Sequence, residues 1–550
     1  MVCHGEFTHR ITKVIDPSDS FDQKRLEHPF SPAYTATVAS QPSPCSPESP
    51  IPIDGHFESL LVEKQAHHET GKESIKGGRG AYIFCPISCT TVDRCDTARV
   101  TIDVLPDVAL LEIFDSYVDK ASIEAWHTLV HVCQKWRTVV FGSSHRLNLR
   151  LYCSARTPVK EMLDVWPLLP IIVWSHDTEI WGTDNIVAAL EHNNHLCDLH
   201  LVNITSLQLE NVLTAMQQPI PALTVLELHL LDERGLIIRD SFLGGFAPRL
   251  QTLILNDFPF PGLPKLLLSA TDLVHFTVWG CSFSGYISPE AMVTCLSALT
   301  RLETVKIGFK SPRCRPDQNT RRSPPLTRTL LPVLTELRLK GVNEYLEDFV
   351  ARIDAPQLNK LEMTFFHQLI LDTPHLTQFI SRTPNFKTHN EACLIFSDWD
   401  AGIVLPQRYD GSLSLVISCS HSDWQLSSLV QVCSLSLPQV LIPTVEHLYI
   451  LEDRLQNWQQ NDIENSQWLE QLHPFTAVKG LYISSEFTSR VAPALQELVG
   501  SRVSEVLPAL QGLFLEEPLP SGHSQEAIGE FVAARQLSRH PISVSHWKRR

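Results

Sequence analysis

No apolar run in this 550-residue chain approaches the ~20 residues that a membrane-spanning helix needs. The longest candidates, such as Pro167 to Trp174, are strand-sized. A basic excess is missing too: 45 Lys and Arg face 61 Asp and Glu, a formal charge of −16. That balance argues against bulk binding to nucleic acid or an anionic membrane. The first ten residues, MVCHGEFTHR, lack the apolar core of a signal peptide, so secretion is not expected. The 14 cysteines fall without a framework spacing, which fits a reducing cytoplasm or nucleus. Neither a G-x-S-x-G nucleophile elbow nor a G-x-x-x-x-G-K-[ST] phosphate loop is present.

Metal-ligand spacing is equally sparse. His68-Glu69-Thr70-Gly71-Lys72 begins like a zinc-protease helix, but Lys72 stands where the second histidine belongs. Cys85, Cys89 and Cys95 lack the close pairs of a structural zinc site. His192, His195, Cys197 and His200 are denser. On a strand whose Leu199 and Leu201 face the core, Cys197 turns inward and His200 outward, so their side chains diverge. No metal or cofactor is expected, and no active site.

What the chain does contain is a short helical pattern. Residues 104–140 read VLPDVALLEIFDSYVDKASIEAWHTLVHVCQKWRTVV. Leu110, Ile113, Phe114 and Tyr117 repeat at the spacing of one helix face. Ser122 is a candidate N-cap before Trp126 and Leu129. A last helix carries Val132, Cys133, Trp136 and Val140. Three helices in so few residues cannot enclose a core alone, so another protein or the rest of the chain should cover part of this surface.

The order Leu-Pro, then Leu-x-x-Ile-Phe, then Val-Cys-x-x-Trp resembles the F-box. The resemblance implies docking on the Skp adaptor of a Skp–cullin–F-box ubiquitin ligase and, through the adaptor, association with a cullin. It assigns adaptor contacts to Leu105, Pro106, Leu110, Ile113, Phe114, Val132 and Trp136. The competing reading is a plain three-helix cap packed on the domain that follows.

From residue 145 another rhythm begins. Leu147, Leu149 and Leu151 alternate like a strand, and Leu169 to Trp174 reads as a buried one. The pattern L-x-x-L-x-L then recurs in LCDLHL, LTVLEL, LQTLIL, LVHFTV, LETVKI, LTELRL and LNKLEM. These start at Leu196, Leu223, Leu250, Leu273, Leu302, Leu334 and Leu358, a mean spacing of 27. Leucine-rich repeats span ~20–29 residues. The pattern fades over 385–440, where LSLVIS at Leu413 stands alone. It returns at Val445, Val478 and Leu510. Residues 183–191 and 344–352 suit intervening helices. Regular repeats place Asn or Cys three positions after the third apolar residue. Only Cys281 fits, among Ile204, Leu231, Phe258, Val342 and Phe366, so an irregular solenoid is expected. The whole resembles the large F-box families of mushroom-forming fungi.

The expected fold class is therefore α/β. Residues 1–100, with their Ser/Pro tract, are expected to be a disordered, low-complexity region, 101–142 the three-helix F-box, and 143–545 a leucine-rich-repeat-like solenoid with a concave parallel sheet and convex helices, irregular around 385–440. A basic, Pro-rich loop spans 310–328, and Arg313, Arg315, Arg321 and Arg322 are its candidates for recognising an acidic or phosphorylated target. On the sheet, His200, Glu227, Ile254, Thr277, Lys306, Arg338 and Glu362 are the outward candidates. The function implied is a non-enzymatic substrate receptor of a ubiquitin ligase. The alternative is a scaffold that pairs with the Skp adaptor without supporting ubiquitination. Nucleic acid and membrane are not expected partners, and the target protein is not legible.

Overall fold

The computed structural model describes residues 105–548, apart from 119–124, 155–156, 176–182, 233–235, 313–326, 367–370, 407–410, 420–421, 440, 454–463 and 518–521. The readings of the first hundred residues, of Ser122 and of the four loop arginines fall outside the described residues.

Three helices open the described chain: α1 (Asp107–Val118), α2 (Ala125–Val130) and α3 (Gln134–Gly142). Their apolar spacing puts Leu110, Phe114, Leu129, Val130 and Val140 inside. The Phe114 and Trp136 rings meet with centroids 4.8 Å apart. Cys133 occupies the N-cap of α3, where its Sγ accepts the Trp136 N–H at 3.5 Å. The Lys135 ammonium donates to the Leu105 carbonyl at 2.8 Å and ties down the entering Leu-Pro.

The cap does not close on itself. Trp126 is 1% exposed because the next segment covers it. Its indole N–H donates to the Arg150 carbonyl at 3.2 Å, and its ring meets Trp166 edge-on at 5.3 Å. Trp166 also stacks on His127 at 5.0 Å.

Beyond the cap, strands and helices alternate. In order they are β1 (Leu151–Cys153), α4 (Val159–Val165), β2 (Ile171–Ser175), α5 (Thr183–Glu191), β3 (Leu196–Ile204), α6 (Ser206–Ala215), β4 (Val225–Leu230), β5 (Thr252–Asn256), α7 (Leu263–Ser269), β6 (His275–Cys281), α8 (Pro289–Leu296) and β7 (Thr304–Phe309). A small pair, β8 (Thr329–Leu330) and β10 (Ile353–Asp354), forms its own two-stranded sheet around β9 (Glu336–Gly341) and α9 (Asn343–Ala351). Then follow β11 (Lys360–Phe366), α10 (Pro374–Arg382), β12 (Glu391–Phe396), β13 (Asp400–Pro406), β14 (Ser412–Ser418) and α11 (Ser422–Gln431). The chain continues with β15 (His447–Glu452), α12 (Asn465–Leu472), β16 (Gly480–Ile483), α13 (Ser485–Gln496), β17 (Gly512–Glu516), α14 (His523–Leu537) and β18 (Ser543–Trp547).

Sixteen of these strands form one sheet, parallel from β1 through β11 and again from β15 to β18. This is a solenoid of βα units whose strands coincide with the leucine pattern. The first leucine of each motif, such as Leu223, Leu250 and Leu273, sits in the turn before or at the start of a strand at 1% exposure or less. The other two, such as Leu226 and Leu228 or Leu253 and Leu255, are buried under the helices. Backbone bonds carry the ladder into the turns: Thr224 N donates to Cys197 O, Gln251 N to Thr224 O and Val274 N to Gln251 O. Each unit thus buries its apolar row only against its neighbours.

Two expectations are corrected. Leu147 and Leu149 are buried but not in a strand, because Asn148 takes the left-handed region at φ 46 and interrupts the extended backbone. The fading pattern over 385–440 is not a weak repeat but a rearranged one. The sheet order there runs β11-β14-β13-β12-β15. β14, the LSLVIS segment, pairs parallel with β11; β13 lies antiparallel between β14 and β12. β12 then pairs parallel with β15 and restores the direction. These strands are buried on both faces, so alternation disappears from their sequence: Ala392 to Phe396 is one apolar run.

The missing Asn ladder has a substitute. A side chain of the neighbouring unit caps the N-terminus of several helices. Asn185 accepts the Val159 N–H at 2.6 Å, and Glu516 accepts Ser485 N–H at 3.1 Å. Asp232 accepts the backbone and hydroxyl of Ser206. The Glu347 carboxylate takes the His375 and Leu376 N–H groups at 2.9 and 2.8 Å. A carboxylate at a helix N-terminus satisfies open donors and complements the helix dipole. Here it also fastens one unit to the next.

Candidate functional site

Two surfaces carry the sequence candidates. On the helical cap, folding divides the seven motif residues. Leu110 and Phe114 are completely buried in the cap's own core and present nothing to a partner. Leu105 and Trp136 are half-buried. Pro106, Ile113 and Val132 remain outside, with Ile113 49% and Val132 53% exposed. Tyr117, one turn after Ile113 on α1, is exposed as well and extends the apolar surface, whereas exposed Val108 lies on the opposite side of that helix. The helix period explains the split: positions 110 and 114 face α3, while 113 and 117 lie on the adjoining stripe.

The second surface is the sheet face opposite the helices. Register brings the seven outward candidates into one row. His200 pairs with Glu227, Glu227 with Ile254, Ile254 with Thr277 and Thr277 with Lys306. Lys306 then pairs with Arg338, and Arg338 with Glu362. The row extends to Trp174 on one side and, on the other, through Ser414, Val404 and Cys393 to a stack of Tyr449, Tyr482 and Phe514, with adjacent centroids 4.3 Å apart, and then Ser545.

Its chemistry changes along the row. At one end His200 Nδ1 lies 2.7 Å and His229 Nε2 3.0 Å from the Glu227 carboxylate, and Trp174 stacks on His200 at 4.3 Å. Hydrogen bonds from the two imidazoles pull the Glu227 carboxyl down to about 2, against the opposing effect of burial. In the middle, the Glu336 carboxylate accepts from Arg338 Nε at 2.6 Å, with Lys360 at 3.5 Å and Lys306 at 3.8 Å. Burial pushes its carboxyl up, but these three cations outweigh it and hold Glu336 below the usual range. Arg338 also reaches Glu362 at 3.5 Å.

Glu336, Lys340, Lys360, His229 and Trp174 were not among the sequence candidates. Those on β4, β9 and β11 lie two positions from a named residue on the same strand, and the alternation of a strand would have found them. Cys197 faces inward and its thiol donates to the Ile171 carbonyl at 3.2 Å, while His200 faces out, as their spacing implied. Burial pushes the Cys197 thiol up to about 11, with Asp198 adding to the shift.

No protein-family model matches this chain, and no curated protein matches it either. Among solved structures, a leucine-rich repeat-containing protein of Legionella pneumophila, LegL7, is similar at 13% identity. The match covers 63% of this chain and 93% of that one, with a TM-score of 0.27.

Proposed function

We propose that this chain is the substrate receptor of a Skp–cullin–F-box ubiquitin ligase. The helical cap docks on a Skp-family adaptor, the adaptor brings the cullin, and the open sheet face holds a target protein. The chain itself performs no chemistry and takes no cofactor, nucleic acid or membrane. It acts in the cytoplasm or nucleus, by raising the local concentration of a target lysine near a charged conjugating enzyme.

One observation carries this reading. The cap packs Leu110, Phe114 and Val140 inside, yet leaves the motif residues Pro106, Ile113 and Val132 outside, with exposed Tyr117 one helical turn from Ile113. Apolar side chains gathered on one small unit mark an interaction site. The test is affinity purification of the tagged full chain with mass spectrometry. Leu105→Ala/Pro106→Ala and Ile113→Asp/Val132→Asp are expected to lose adaptor and cullin, with an unchanged melting curve. A folded variant of either kind that still captures the adaptor overturns the assignment.

The anchoring of Trp126 to Arg150 and Trp166 favours a second reading, in which the cap only seals the end of the sheet. That reading expects no adaptor with the wild-type chain. A scaffold that pairs with the adaptor without ubiquitination expects adaptor but no cullin.

A further inference from the structure

The open face of β7, β9 and β11 reverses the sign of the molecule. The chain as a whole carries −16. The outward charged positions of these three strands hold four cations, Lys306, Arg338, Lys340 and Lys360, against two carboxylates, Glu336 and Glu362. The charges do not cancel in pairs. The single carboxylate of Glu336 is shared among Arg338, Lys360 and Lys306. Arg338 is 8% exposed and bridges Glu336 to Glu362, so it acts as a strut beneath the surface. The Lys306 and Lys360 side chains stay 29% and 21% exposed, and Lys340 is half-buried with its ammonium 6.0 Å from the Phe366 ring. These three ammonium groups are the ones a ligand can reach.

A second feature adjoins them. A Cβ at Gly308 would stand 2.7 Å from the Trp279 indole carbons. The glycine therefore lets the indole of β6 lie across strand β7, one strand from Lys340, whose register partner is Gly308. Trp279 is half-buried there and offers an aromatic platform at the edge of the basic strip.

We propose that this face binds an extended acidic segment of a target protein, with carboxylates on Lys306, Lys340 and Lys360 and an apolar side chain on Trp279. Charge complementarity selects the partner. By register Lys340 stands two residues above the row of Lys306 and Lys360 two below it, so the three Cα atoms lie roughly 8–14 Å apart, one to two steps of the roughly 6.6–6.8 Å spacing of alternate residues in an extended segment. Three strands offer a strip only ~10–15 Å wide. A polyanion such as RNA would extend past it onto an acidic molecule. The proposal names the target chemistry for the receptor reading above, but the binding itself does not depend on the cap.

The test titrates the full chain into a short fluorescein-labelled peptide that alternates Glu with Ser around one Leu, followed by anisotropy. The Glu peptide should bind and weaken as salt rises. Lys306→Ala/Lys360→Ala should weaken it at least about fivefold. Lys306→Arg/Lys360→Arg should retain binding, and Gly308→Ala should weaken it by displacing the indole. Lys479→Ala, outside the strip and paired with Glu446, should leave affinity unchanged. Equal binding of a peptide with Gln in place of Glu overturns the proposal. So does wild-type affinity in a folded Lys306→Ala/Lys360→Ala chain, or tighter binding of oligouridylate. Adaptor capture by the same variant keeps the two readings apart. If the adaptor is captured and the Glu peptide never binds, this proposal alone falls. If the peptide binds and no adaptor is captured, the receptor reading falls and this one stands.

Discussion

Glu227 shows how a single side chain ties the sheet to solution conditions. Its carboxylate lies between His200 and His229, and Trp174 covers His200 from the neighbouring strand. Hydrogen bonding lowers the carboxyl from its ordinary 4.5 to about 2. A group depressed by folding adds stability that is present above its unfolded value and disappears as pH falls through the folded one. The contribution of Glu227 should therefore decline between about pH 4.5 and pH 2. Hydrogen bonds to a charged group contribute roughly 1.5–3 kcal/mol. Glu227→Gln should lower the urea midpoint at neutral pH and flatten its dependence in that acid window. An unchanged slope in the variant would remove Glu227 from this role. The pairing of His200 with Glu227 was outside the reach of the sequence, because those positions meet only through the register of β3 and β4, whereas Glu227 and His229 are alternate residues of one strand.

At the scale of elements, the cap and the inserted strands departed from the linear pattern in opposite ways. The cap's helices were legible, since apolar residues repeat at helix spacing and Leu110 and Phe114 fill its core as that spacing requires. Which motif residues stay outside was not legible, because burial depends on where α3 packs against α1. The cap also leans on the solenoid through Trp126, whose ring and indole N–H are both satisfied there. Trp126→Ala should cost about 3–5 kcal/mol. Chemical denaturation read by circular dichroism checks it. A loss under about 1 kcal/mol would mean that cap and first unit do not stabilise each other. In β12 and β13 the failure lay in periodicity. Strands buried on both faces carry no polar alternation, so EACLIF and DAGIVLP resemble neither a repeat nor each other.

Across the whole described chain, each unit of the solenoid contacts mainly its neighbours, so local stability should vary along it. β13 is hydrogen-bonded on both sides and buried through most of its length. β18 ends the sheet, bonded to β17 alone and largely exposed. Hydrogen exchange followed by mass spectrometry should find the amides of 401–405 among the slowest and those of 543–547 among the fastest. Equal protection at the two places would contradict this order. The sequence by itself determined that the molecule would be α/β, that L-x-x-L-x-L segments would be strands, and that Leu110, Ile113, Phe114 and Tyr117 would share one helix. These follow from the fixed periods of helix and strand, which any local stretch records. Tertiary structure alone decided the antiparallel insertion, the capping of helices by side chains of adjacent units, and the basic strip set in an acidic chain. Each of these joins residues distant in sequence, through pairing and packing that no local spacing encodes.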